Sequence, residues 1–328
     1  MATGNKIKFS IFILAAGIIL LSGCSGLKPK PSPVSLYVDA LSYEQNNNTQ
    51  KAIEKLNTSV KIDSNFAPSY SKLAEIYQNE QNYQKSAEHY EKATNVNTWS
   101  FKDHLNLGKV YEILERYARS AKAYTRACDL KSYHLGAHLG AARSYCKIED
   151  LDNALLYAEK AKNIDPNRTE VRKIFGDIYE QKKNHEQAIA AYKRALEVDS
   201  NNTEVMTALG IVYLRTGRNE PAKELLKSVI EKEPNNSKAH NYLGYCYLQL
   251  GELEKAIASY EQALEINEKD WDAHRGLGVA YMLSARKNDQ QFDEQIKEKA
   301  LQQWKKSLQI NPDQSNSERL RKLIEKFE

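Results

Sequence analysis

The sequence predicts an all-α fold, a solenoid of about eight stacked helix–turn–helix units followed by a short C-terminal helix. Three observations predict it. Tyr43, Tyr77, Tyr111, Tyr145, Tyr179, Tyr213, Tyr247 and Tyr281 recur at a spacing of 34 residues. A fixed period in the thirties marks stacked copies of one supersecondary unit. Small and bulky side chains keep step with those tyrosines at helical offsets, and every proline beyond the N-terminal spacer falls where a helix is expected to end.

The composition agrees. The chain has 328 residues, with only eight Pro and fourteen Gly, and it is rich in the residues that lose least on entering a helix. The formal net charge is +4. Lys6 and Lys8 fall in a segment expected to be removed, leaving 45 basic residues against 43 acidic. That balance gives no broad electrostatic footprint for nucleic acid. It suits a solvated, salt-bridged helical surface.

The N-terminal segment comes first. After Lys6 and Lys8, an apolar run of 13 residues extends from Phe9 to Leu21, broken only by Ser10 and Gly17. A spanning helix needs about 20 residues, so the run fits the hydrophobic region of a secretory signal peptide. Leu21-Ser22-Gly23-Cys24 follows. It resembles the lipobox of bacterial lipoproteins. The resemblance implies that residues 1–23 are a signal peptide and that Cys24 becomes a lipidated first residue, with a diacylglycerol thioether and an amide-linked acyl chain such as palmitate. Each buried CH₂ contributes about 0.8 kcal/mol, and two chains already anchor stably. Ser25 in place of aspartate, by resemblance to enterobacterial sorting rules, points to the outer membrane. Residues 24–32 hold the lipidated cysteine and a spacer. Pro29 and Pro31 there alternate with Pro33 at its end, favouring extended polyproline II geometry.

The repeats follow. Three residues before each tyrosine stands a small residue: Ala40, Ala74, Gly108, Ala142, Gly176, Gly210, Gly244 or Gly278. The residue before it is usually apolar, as in Leu73, Leu107 and Phe175, although Asp39 breaks the first copy. Nine residues after the tyrosines come Ala52, Ser86, Ser120, Ala154, Ala188, Ala222 and Ala256. Four further on stand Leu56, Tyr90, Tyr124, Ala158, Tyr192, Leu226 and Tyr260. Offsets of three and four share one helix face, so each unit reads as two helices of about 13 residues joined by a turn. Gly217 and Gly251 sit in such turns, as helix stops do. Pro68 and Pro221 fall in first turns, where the missing N–H costs little. Pro166, Pro234 and Pro312 share the loop after the second helix.

These slots resemble the tetratricopeptide repeat family. The resemblance covers residues 33–314 and implies a right-handed α-solenoid, with units beginning near 33, 67, 101, 135, 169, 203, 237 and 271. The last copy holds an insertion at about 286–295. Phe292, Ile296, Ala300, Trp304 and Leu308 run at intervals of four, so the insertion is expected to lengthen the second helix. Residues 315–328 read as a capping helix, with Leu320, Leu323, Ile324 and Phe327 over the last repeat. Terminal caps shield an exposed repeat face.

Reaction chemistry is scarce. There is no phosphate-binding glycine loop and no zinc spacing of paired cysteines. Cys128, Cys146 and Cys246 read as small buried hydrophobes, or as one bridge plus one thiol. His134 and His138 lie four apart without a third ligand nearby. His138 also shares its slot with His104, His240 and His274, which points to packing or capping. No carboxylate pair is set for acid–base work. No cofactor and no metal are expected, and the chain is read as not an enzyme.

In arrays of this kind the first helices line an inner groove. Ile211, Leu214, Tyr245, Leu248, Val279 and Met282 form a candidate apolar peptide groove there, able to seat an amphipathic helix or an extended peptide. Packing against neighbouring helices is the alternative reading of the same residues. Lys102, Lys109, Arg143 and Lys147 form a candidate basic patch. The carboxylate clamp of chaperone-binding family members is not reproduced, because Asp177 stands where asparagine would be wanted after Lys173.

The reading is a lipid-anchored, periplasm-facing scaffold or assembly factor of the bacterial envelope, at the outer membrane. It would bind one or more envelope proteins in the concave groove and would not bind nucleic acid. Pilotin-like assembly of pilus secretins, and adaptors for peptidoglycan hydrolases, are the particular roles the resemblance suggests. A glycan- or metal-binding carrier is the competing class.

Overall fold

The computed structural model describes residues 30–286 and 291–328. The signal-peptide reading of 1–23 and the lipid site at Cys24 lie outside the described residues, as does the spacer up to residue 29. Among the described residues there are seventeen α-helices, and the only extended pairing is an isolated antiparallel bridge between Arg286 and Phe292.

The first helices of the successive pairs are α1 (Pro33–Gln45), α3 (Ala67–Asn79), α5 (Phe101–Ile113), α7 (Leu135–Lys147), α9 (Thr169–Gln181), α11 (Thr203–Arg215), α13 (Ser237–Gln249) and α15 (Trp271–Ala285). Their partners are α2 (Thr49–Ile62), α4 (Tyr83–Val96), α6 (Tyr117–Leu130), α8 (Leu151–Ile164), α10 (His185–Val198), α12 (Asn219–Lys232), α14 (Leu253–Ile266) and α16 (Glu294–Ile310). A final helix, α17, spans Ser317–Phe327. The chain divides into two compact units, Met1–Ser64 and Asn65–Glu328.

In the described part of the first unit, α1 packs on α2. A capping box of Ser32 and Ser35 starts α1, satisfying two of the amide donors that a helix leaves orphaned at its start. The Ser59 hydroxyl donates to the Pro33 carbonyl at 3.0 Å and ties the far ends of the two helices.

In the second unit each pair packs on the next from α3 to α16, and α17 packs on α16. The second helix of a pair drives a large side chain into the small slot of the first. Tyr90, Tyr124, Tyr260 and Leu226 are fully buried there. The glycine slots exist because nothing larger fits. A Cβ on Gly108 would stand 2.8 Å from the Tyr124 ring, and one on Gly176 2.4 Å from the Tyr192 ring. Serine holds the same crossing by hydrogen bonding: Ser86 donates to the Ala74 carbonyl and Ser120 to the Gly108 carbonyl, both at 2.8 Å.

The register tyrosines join one pair to the next. The Tyr111 hydroxyl donates to Glu91 of the preceding α4, and Tyr281 donates to Glu261 of α14 at 2.6 Å. Cations lie over the rings, as with Lys85 above Tyr77 at 5.1 Å and Lys255 above Tyr247 at 5.6 Å. Each such contact contributes about 0.5–1 kcal/mol where exposed. Histidines latch the loops between pairs. Nε2 of His104, His138, His240 and His274 donates to the carbonyl six residues earlier, at 2.8–3.2 Å.

The insertion departs from expectation. Helix α16 has 17 residues, where the other second helices have 14. Phe292, however, lies outside it, which corrects the reading that the run of fours is helical throughout. Asp293 accepts from the Ile296 amide and starts the helix after Phe292, and the Phe292 ring meets Phe327 edge-on at 5.4 Å. On α17, Leu320 and Ile324 bury against Met282, Leu301 and Trp304.

Candidate functional site

Two adjoining cavities run along the second unit, lined mainly by first helices. They share Ile211, Arg215 and Tyr242. The first, of about 730 Å³, extends from Glu112 and Arg143 through Lys173 and Glu204 to Lys238. The second, of about 540 Å³, continues to Val279 and is bounded by Arg319, Leu320 and Leu323 of α17.

Charged side chains line much of the first cavity, and most of them are paired, several across successive pairs. Arg143 Nε donates to Glu112 Oε1 at 2.8 Å. Lys173 Nζ lies 2.8 Å from Asp177 and 3.1 Å from Glu204. Burial opposes the Lys173 charge, but those two carboxylates outweigh it and hold its pKa above the ordinary value. Arg215 pairs with Glu180. The Tyr192 hydroxyl donates to Asp177 Oδ1 at 2.8 Å, and burial first and that carboxylate second push its pKa up. Lys147 and Lys238 have no carboxylate partner among the described residues. Exposed ion pairs contribute about 0–1 kcal/mol each. Their effect here is chiefly on which charges a ligand would meet.

The second cavity is more apolar. Ile211, Leu214, Tyr245, Leu248 and Val279 all line it. Leu214 is only 8% exposed and belongs to the core, whereas Tyr245 is 41% exposed. Met282, the sixth candidate, does not line it. It is buried beneath α17 with Trp304 and Leu320. Arg275 pairs with Asp272 at one wall, and burial raises the Asp272 pKa.

The four basic candidates do not form one free cationic surface. Lys102 pairs with Glu75 and Arg143 with Glu112. Lys109 is exposed, and Lys147 lies 5.9 Å over the Tyr117 ring. Arg143 and Lys147 line the first cavity, while Lys102 and Lys109 line neither. The sequence reading missed the cross-pair carboxylates. Glu112 and Glu180 both follow a register tyrosine directly, and that placement could have pointed to them. It also placed Leu320 and Leu323 as cover for the last repeat without seeing that they close the groove.

Among the described residues no three His, Cys, Asp or Glu side chains converge as metal ligands. The His134 Nδ1 accepts from the Ala137 amide at 3.1 Å and caps α7. The three described cysteines are free and buried, and burial pushes the Cys146 thiol up to about 11.

Stacked helix pairs with a groove along their first helices define a repeat-built binding protein. Family models agree. A tetratricopeptide repeat model matches residues 67–98 and 104–134, and the model described as cytochrome c-type biogenesis protein H TPR domain matches residues 165–274. The chain belongs to the tetratricopeptide repeat family. A tetratricopeptide repeat protein from Parabacteroides merdae superposes with a TM-score of 0.61 at 13% identity, over 76% of this chain and 98% of that one. A chain of the APC/C hetero-tetramer Cut9–Hcn1 gives 0.62 at 14%, over 88% of this chain and 55% of that one. Yeast Tom70 gives 0.53 at 18%, over 81% and 57%. At these identities the likeness is one of fold. No curated protein matches the sequence.

Proposed function

We propose that this chain is a non-catalytic scaffold of the bacterial envelope, tethered by lipid on Cys24, that holds a partner polypeptide in the groove along α7 to α15. One observation carries the reading. Apolar side chains from three successive pairs, Ile211, Tyr245, Leu248 and Val279, line one cavity together with Leu323 of α17. Contiguous apolar surface of that kind marks interaction sites, and an apolar centre beside a polar flank is how protein interfaces are built. Pilotin-like and hydrolase-adaptor roles are particular forms of this scaffold.

Tyr245→Asp with Leu248→Asp tests it. Both side chains line the cavity, Tyr245 exposed and Leu248 half-buried at the edge of the core, whereas Leu214 is buried within it. Capture of the dominant partner from envelope extract should fall at least about tenfold, as loss of central anchors does, with helicity unchanged. Undiminished capture would overturn the groove. The tether has its own test. Cys24→Ala should shift the chain out of the mature, lipid-modified membrane fraction, and unaltered processing and fractionation would contradict the anchor.

A second reading has a specific observation behind it. The match to the cytochrome c-type biogenesis protein H TPR domain covers residues 165–274, which include α9 to α14 and most of the groove. On this reading the partner belongs to cytochrome c-type biogenesis. Haem staining of cells lacking the chain should then show depleted c-type cytochromes, and normal staining would dismiss it.

A further inference from the structure

A separate cavity of about 350 Å³ lies among α8, α9 and α10, away from the groove residues. Three cations line it, Lys162, Arg172 and Arg194, with a single carboxylate, Glu159. Lys162 pairs with Glu159 at 3.1 Å. Arg194 has no carboxylate partner among the described residues. The Arg172 Nη2 donates to Asn167 Oδ1 at 3.0 Å, while its Nε is buried with no hydrogen-bond partner. A buried guanidinium N–H without an acceptor is costly, so the site is short of an acceptor that a ligand could supply.

The chain's own repeat shows that this is a local departure. At the slot of Lys162 the other pairs place Val60, Thr94, Cys128, Leu196, Ile230 and Leu264. At the slot of Arg172 they place Tyr70, Met206 and the latch histidines His104, His138, His240 and His274. Ala191, small like Ala123 and Ser259, stands where His89, Tyr157 and Leu225 are bulky. Two apolar or neutral slots have become cationic, and a small one beside them leaves the space open. Phe175 and Tyr179, stacked at 6.3 Å, form an aromatic wall, with Lys162 Nζ 5.5 Å above Phe175.

We propose that this cavity binds a small organic anion, a carboxylate or phosphate ester on an aromatic body. The anion sits with Arg172 and Arg194, and the apolar body lies against Phe175 and Tyr179. Charge-assisted hydrogen bonds to guanidinium supply the specificity, and the volume is that of a small-ligand site.

Titration calorimetry of the full chain in detergent, with phenyl phosphate and inorganic phosphate as probes, tests the assignment. Phenyl phosphate should bind at one site, and inorganic phosphate more weakly because it leaves the aromatic wall unused. Arg172→Gln should weaken phenyl phosphate roughly tenfold or more. Ala191→Leu, the residue found at Leu225, should fill the cavity and abolish binding. Lys162→Leu, the choice at Leu196 and Leu264, should weaken binding without disturbing the fold, and it guards against Ala191→Leu failing to fold. Absence of phenyl phosphate binding at millimolar concentration would overturn the proposal. So would binding that persists unchanged in Arg172→Gln and Lys162→Leu, and equal affinity for the two probes would remove the aromatic wall from the site.

Discussion

Gly176 and Gly210 occupy the same slot of the repeat but face different neighbours. A Cβ on Gly176 would lie 2.4–2.7 Å from the Tyr192 ring, which is fixed by its bond to Asp177. On Gly210 it would meet Leu226 at 3.3 Å, a flexible side chain. Gly176→Ala is therefore expected to destabilise by about 1–3 kcal/mol through overpacking. Gly210→Ala should lie within about 1 kcal/mol of the parent, because the gain in helix propensity is about that size. Urea midpoints followed by circular dichroism would separate the two. Equal losses would mean that the slot demands glycine for a reason other than the opposing side chain. The small slot itself was legible in the sequence, because crossings that recur must recur in size. Which glycine is crowded could not be read without knowing that Tyr192 is pinned.

At the scale of the element, the turn within each of the first seven pairs ends its first helix with a left-handed residue. Gly217 and Gly251 serve there, but so do Asn47, Gln81, Glu115, Glu149 and Lys183, with φ between 56° and 62°. The following amide donates back to the carbonyl of the register tyrosine, as Arg116 does to Tyr111 and Arg218 to Tyr213, both at 2.8 Å. This double-bonded helix stop needs a positive φ whatever the residue, and a side chain there is strained. Glu115→Gly and Glu149→Gly should each stabilise by about 0.5–1 kcal/mol, less the entropy glycine adds to the unfolded chain. A lowered thermal midpoint in both would contradict this account of the turn. The glycine signal exposed only two of the seven turns to sequence reading, since polar residues tolerate the conformation at a cost. The last pair escaped it altogether. Helix α15 runs on to Ala285, and the chain pairs Arg286 with Phe292 before α16 begins. A run of fours through Phe292 looks helical, yet the Asp293 cap and the Phe327 ring decide otherwise.

For the whole molecule, the fold class was legible because the interfaces between successive pairs of the second unit repeat the same demand. The site was legible only in part. Apolar positions facing the groove follow from the register, and Ile211, Tyr245, Leu248 and Val279 were reached that way. Met282 sits in the same register and was lost because α17, which does not repeat, covers it. Charged residues were hardest to assign. Lys102 and Arg143 look free in the sequence, but carboxylates from the preceding pair neutralise them, and such pairs obey no single spacing. The groove therefore presents an apolar stretch beside paired charges, with Lys147, Lys238 and Arg319 lacking a carboxylate partner among the described residues.

The most direct measurement is site-specific photocrosslinking in cells. A photoreactive phenylalanine at Tyr245, 41% exposed in the groove, is compared with one at Leu156, 48% exposed on α8 and outside it. The account predicts a discrete protein adduct from position 245 and none from 156. Adducts of equal yield from both positions, or from 156 alone, would contradict a partner held in the groove.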